Sequence, residues 1–120
     1  MAQPEILIRA VDVPSNAPLP GSEVRLVSGD DHGLGGFSLI VGAYPVGADT
    51  PPHRHPHISA IVVAEGHGQF TVGDRTVAAG VGDIVVVPAN EWHSFRNDGD
   101  VLLRVVGSHD SGHHAAELQS

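Results

Sequence analysis

Apolar residues in this chain come in short runs, separated by glycine, proline and turn-forming residues. Period-two alternation and β-branched content mark such runs as strands. The pattern predicts strands over 6–11, 23–27, 36–44, 58–64, 69–72, 75–78, 83–88, 93–96 and 101–106. Most of the fifteen glycines and nine prolines fall between these runs. Closely spaced short strands with such breaks predict an all-β sandwich or barrel. Gly66-His67-Gly68 and Gly73-Asp74 are read as hairpin closures, and Asp98-Gly99 as a tight turn. Residues 13–21 carry three prolines and read as a loop. Only residues 112–118 suggest a short helix.

At 120 residues the chain is read as one domain, with a core at about 36–106 and a tail at 107–120. A net charge of -8 without a basic cluster argues against nucleic acid or an anionic membrane surface as partner. All six basic residues are arginine, which excludes a lysine nucleophile or Schiff base. The absence of cysteine excludes thiolate ligands and disulfides. No segment has the composition of a signal peptide or a helical membrane span, so a soluble, cytoplasmic protein is expected.

The strongest chemical signal is His53-Arg54-His55-Pro56-His57. On a strand, alternate residues share a face, so these three imidazoles are read as converging on one point. Neutral imidazole suits zinc, iron, copper and nickel. The competing reading is a solvated histidine patch. Downstream, residues 83–88 read as a strand ending at Pro88, and His93 opens the next, with Phe95 and Asn97 on its face.

Taken together, these positions resemble the two motifs of the cupin family. Gly47, His53, His55 and Gly66 fall in register with the first motif, and Gly82, Pro88, His93 and Asn97 with the second. Asn90 stands where the second motif has glycine, a mild change because asparagine tolerates a left-handed turn. The resemblance spans roughly residues 36–106. It implies a cupin double-stranded β-helix, a jelly-roll-like barrel, with one divalent transition metal per chain. Iron or zinc is expected first, with manganese, nickel or copper as alternatives.

The resemblance also implies a ligand set and exposes a departure from it. His53, His55 and His93 match the family's histidine ligands, but Ser59 occupies the position of its glutamate. Either the metal keeps three histidines and an open position, or His57 becomes a fourth ligand. A different role for His57 is orientation of a ligand or proton transfer beside the metal. Three-histidine family members include iron dioxygenases, and others resemble zinc-containing polyketide cyclases. The expected substrate is a small, enolisable or chelating molecule, in a pocket formed by Ser59, Ile61, Val63, Val85 and Phe95. The rival reading is a non-catalytic module that binds a metal or small ligand. Tyr44, Glu91 and Arg104 are read as structural or exposed, and His32, His67, His109 and the His113-His114 pair as surface histidines. An apolar first strand, residues 6–11, is expected to pair with a second copy in a homodimer.

Overall fold

The computed structural model describes residues 6–113 and 115–118. Eleven strands among the described residues form two antiparallel sheets. In chain order they are β1 (Ser15–Asn16), β2 (Glu23–Val27), β3 (Ser38–Tyr44), β4 (His53–Arg54), β5 (Ser59–Glu65), β6 (His67–Val72), β7 (Arg75–Gly80), β8 (Ile84–Val87), β9 (His93–Arg96), β10 (Leu103–His109) and β11 (Glu117–Leu118). One sheet has the order β1-β2-β3-β10-β5-β8 and the other β11-β4-β9-β6-β7. A one-turn helix, α1 (Gly29–His32), joins β2 to β3. The expected all-β jelly-roll architecture is therefore the observed one.

Alternation places the core between the sheets. Along β5, Ser59, Ile61 and Val63 point inward; along β10, Leu103, Val105, Gly107 and His109 do. Phe70 and Phe95, cross-strand partners on β6 and β9, stack at 5.2 Å in the middle of the opposite sheet. Leu103, Val63, Phe70 and Val87 are the most completely buried apolar side chains.

The turn chemistry holds where the backbone must turn sharply. Gly73-Asp74 closes the β6–β7 hairpin, with Val72 opposite Arg75. Asn90 adopts φ 64°, the left-handed conformation that its place in the second motif calls for. Gly66 also has positive φ, but it does not close a hairpin: β5 and β6 lie in different sheets, and Gly66 is the corner between them. A side chain there would press against the Leu102 carbonyl.

Several expectations are corrected. Residues 6–11 form no strand; Ala10–Asp12 is a 3-10 turn, and Ile6, Leu7 and Val11 are exposed. Apolar content without a partnering edge in the same chain does not make a strand. The expected helix over 112–118 is absent from its described residues: Glu117 and Leu118 pair with Arg54 and His53 as β11. So short a segment gains little from helical hydrogen bonds alone, and pairing with β4 satisfies its backbone instead. The last long strand runs on to His109, so the tail does not begin at 107.

Candidate metal centre and cavity

The histidines lie where the second sheet meets its tail strand. His53 on β4 and His93 on β9 are direct cross-strand partners, which sets their side chains beside each other. His55 follows β4 by one residue and is buried, as is His93. The ring centroids are 4.2 Å apart for His53 and His93, 5.1 Å for His53 and His55, and 5.1 Å for His55 and His93. One ring nitrogen from each of these three lies within 4.8 Å of the others.

The hydrogen bonds fix which nitrogen faces inward. His53 Nδ1 bonds the Pro51 carbonyl at 3.0 Å, His55 Nδ1 the Ala115 carbonyl at 2.8 Å, and His93 Nδ1 the Glu91 carbonyl at 3.1 Å. A carbonyl only accepts, so each Nδ1 carries the proton and each Nε2 carries the lone pair. Three imidazoles thus share one tautomer, held by the backbone, with Nε2 as the ligand atom. This is the outer support that metal-binding histidines ordinarily have, and the donor set fits a divalent transition metal.

Electrostatics point the same way. Burial pulls the His93 imidazolium down to about 4, and neighbouring histidines push in the same direction. His55 is also held below its ordinary value, first by burial and then by the charges of His53 and His57. Both rings are neutral near pH 7, so no proton has to leave before a metal binds. This has a consequence for the metal-free protein. The unfolded His93 ring titrates near ~6.5, so as pH falls from there towards 4 the unfolded chain takes up a proton that the folded chain refuses. Stability is full above that window and falls across it by roughly 3 kcal/mol. Urea denaturation at pH 7 and pH 4 should show the loss in the native protein and a smaller loss in His93→Gln. Equal losses in the two proteins would contradict the assignment.

The tail strand completes the site. Arg54 reaches Glu117 at 2.7 Å and lies 4.4 Å over the Trp92 ring, which pins β11 beside His53. Ala115, just before β11, supplies the carbonyl that orients His55.

The triad opens on a cavity of about 240 Å³ between the sheets. Its walls are mainly apolar and include Leu19, Val24, Ile61, Phe95 and Val105. Ser59, Ile61 and Phe95 line it, and Val63 and Val85 do not. Val63 is sealed in the core, and Val85 faces a separate hollow between β7 and β8. Tyr44 also lines the cavity, edge-on to Phe95 at 4.8 Å, and burial raises its phenol to about 12. Glu91 is outside the cavity and packs over Gly73. Arg104 pairs with Glu65 at the surface at 3.2 Å.

His57 sits apart from the triad's centre. It stacks on His55 at 5.3 Å and meets His109 at 5.4 Å, and it groups with those two rather than with His53 and His93. His109, read as a surface residue, is buried and faces the cavity. The signal for it is in the sequence: Leu103, Val105, Gly107 and His109 keep strict alternation beyond the expected strand end at 106.

Comparison with known proteins supports this architecture. The model of the Cupin domain family matches residues 41–107, more than half the chain. The gentisate 1,2-dioxygenase of Haloferax sp is 38% identical over 55 residues, covering 46% of this chain and 15% of that protein. The 1-methylthio-D-xylulose 5-phosphate methylsulfurylase of Rhodospirillum rubrum is 32% identical over 82 residues, covering 68% of this chain and 52% of that protein. The chain thus spans about half the length of the second relative and far less of the first. Among solved structures, the Bacillus subtilis oxalate decarboxylase studied for its Mn(II) centres aligns with a TM-score of 0.84 at 20% identity, over 92% of this chain and 31% of that one. Oxalate oxidase in complex with glycolate aligns with a TM-score of 0.78 at 20% identity, over 94% and 63%. These structural likenesses establish the fold.

Proposed function

The chain belongs to the cupin domain family, and from that premise we propose that it is a mononuclear metal-dependent enzyme for a small, oxygen-bearing organic substrate. The observation that carries this reading is the set of three backbone-held imidazoles, His53, His55 and His93, at one end of a largely apolar cavity. A divalent transition metal bound there would act as a Lewis acid toward substrate oxygens, with its charge undiminished by any carboxylate ligand.

The remaining steps belong to the chain itself. Ile61, Phe95 and Val105 hold the carbon skeleton and keep water away from it. Tyr44, with its phenol raised to about 12, stays protonated at neutral pH and cannot serve there as a base. His57 supports His55 by stacking and does not line the cavity, so its role is positioning rather than contact with substrate. The names of the similar proteins favour compact oxygenated substrates: gentisate, a methylthio sugar phosphate and oxalate.

Two reactions suit this site: O2-dependent cleavage of a carbon–carbon bond, and redox-neutral cyclisation or isomerisation of an enolisable substrate. The test is turnover of a panel of hydroxybenzoates, diketones and keto-sugar phosphates by protein loaded separately with iron, zinc and manganese. Oxygen uptake and product formation are followed together. Conversion with matching oxygen uptake supports dioxygenase chemistry, and conversion without uptake supports the redox-neutral route. Binding across the panel without conversion under any metal would contradict the enzyme reading in favour of a ligand-binding module.

A further inference from the structure

We propose that Ser59 and His109 form a second polar recognition point in the cavity, for an oxygen function of a substrate whose other oxygen function is held at the three-histidine end. This deepens the metal-enzyme reading and rests on it. Ser59 stands where the family's glutamate was expected, and its replacement leaves more than a gap.

The register makes the pair. Ser59 on β5 and His109 on β10 are direct cross-strand partners, and both side chains point between the sheets. Both are almost completely buried, at 4% and 5% exposure, and both line the cavity. Ser59 Oγ is sealed from bulk solvent and makes no hydrogen bond among the described residues. A buried hydroxyl without a partner is costly, and here it faces open volume rather than packed core. The His109 ring leans back over Gly107: a Cβ at Gly107 would stand 3.2 Å from its Nε2. Glycine at that position therefore gives the ring its room. His109 lies 4.9 Å from His55, centroid to centroid, so the two poles of the cavity are only a few bonds apart.

The chemistry follows from the groups present. A hydroxyl and an imidazole each donate and accept, so they suit a hydroxyl or carboxylate oxygen. Apolar walls between the poles suit a compact carbon frame. The match is a small molecule with two closely spaced oxygen functions. A second metal held by His55, His57 and His109 fits less well: His55 belongs to both groups, and its Nδ1 is committed to the Ala115 carbonyl. Both groups would therefore have to share a single His55 nitrogen.

The test uses compounds that differ by one oxygen function: salicylate and benzoate, malonate and acetate, oxalate and formate. Calorimetry on metal-loaded protein gives the affinity gain within each pair. In at least one pair the gain is expected to be about tenfold, the worth of one good hydrogen bond. Ser59→Ala and His109→Asn should each reduce that gain to less than about threefold, with metal content and binding of the simpler compound unchanged. Ser59→Ala should also melt no lower than the native protein, because the lost hydroxyl has no partner. Gains that both substitutions leave unchanged in every pair would overturn the proposal. So would two metals per chain, falling to one in His109→Asn. If His109→Asn fails to fold, His109→Gln and Ser59→Ala decide. Titrating metal-free protein with the simpler compounds separates the two readings. Equal affinity with and without metal would reject the metal reading, whereas a gain lost only in the variants would still support the pole.

Discussion

His93→Ala and His55→Ala are each expected to leave the purified protein without stoichiometric metal. Each substitution removes one of three Nε2 donors, and no carboxylate or cysteine stands among the grouped ligands to replace it. Each ring is also oriented by its own carbonyl partner, Glu91 or Ala115, so no other side chain inherits that geometry. The affinity loss should exceed the 10–100-fold typical of changing a residue that only supports a ligand. His57→Ala supplies that comparison. Stacked on His55 and grouped away from His53 and His93, His57 should cost no more than about 10–100-fold and leave one metal per chain at saturation. Metal analysis of the three variants purified without a histidine tag checks this. Full metal content in His55→Ala and His93→Ala would reject the assignment, and metal loss only in His57→Ala would move the site to the His55–His57–His109 group.

Asn97→Ala is expected to be strongly destabilising while leaving every imidazole in place. Asn97 is 1% exposed. Its amide nitrogen donates to the carbonyls of Tyr44 and Val101, at 3.0 and 2.9 Å, and its Oδ1 accepts from Gly99 N–H at 3.0 Å. Alanine would leave the buried Tyr44 carbonyl without this donor, and would release the partly exposed Val101 carbonyl and Gly99 N–H to water. At about 1–3 kcal/mol for the buried carbonyl, plus the smaller worth of two hydrogen bonds that water can replace, the loss should be about 2–3 kcal/mol. That is a large share of the ~5–15 kcal/mol that holds most native proteins together. The damage should reach the site as well. The Asn97 backbone also bonds Gly47 and Ala48, at 3.0 and 2.9 Å, and so anchors the loop that leads to His53. Urea unfolding with unchanged m-value gives the stability difference, and a loss below 1 kcal/mol would show that the Asn97 amide is not the tie described here.

The sequence made much of this arrangement legible because motif spacing and backbone chemistry coincide. Gly47, Gly66, Gly82 and Asn90 all adopt positive φ, where glycine or asparagine is the natural occupant. Between those fixed turns, alternation set the inward faces of β5, β8 and β9 well enough to place Ser59, Ile61, Phe95 and His93. The histidine triplet His53, His55 and His57 was legible only in part. His53 lies on β4, but the strand ends at Arg54 and β5 begins at Ser59, so the three rings do not share one continuous strand face. His55 turns to His53 and His93, while His57 turns to His109.

What the sequence hid depends on pairing between distant segments. Residues 6–11 are as apolar as a strand, yet among the described residues no edge of this chain pairs with them. Glu117 and Leu118 look like the end of a tail, yet they pair with β4 because Arg54 holds Glu117 and the Ala115 carbonyl meets His55. His109 was hidden by Gly107, whose missing side chain reads as a break in one dimension and makes room for an imidazole in three.

The most direct test is an anomalous difference map from a crystal of the metal-loaded protein, collected at the absorption edge of the bound metal. One peak per chain should stand about 2.0–2.2 Å from Nε2 of each of His53, His55 and His93, with each Nδ1 still bonded to its backbone carbonyl. A peak centred on His57 and His109, or ligation through Nδ1, would contradict the three-histidine centre.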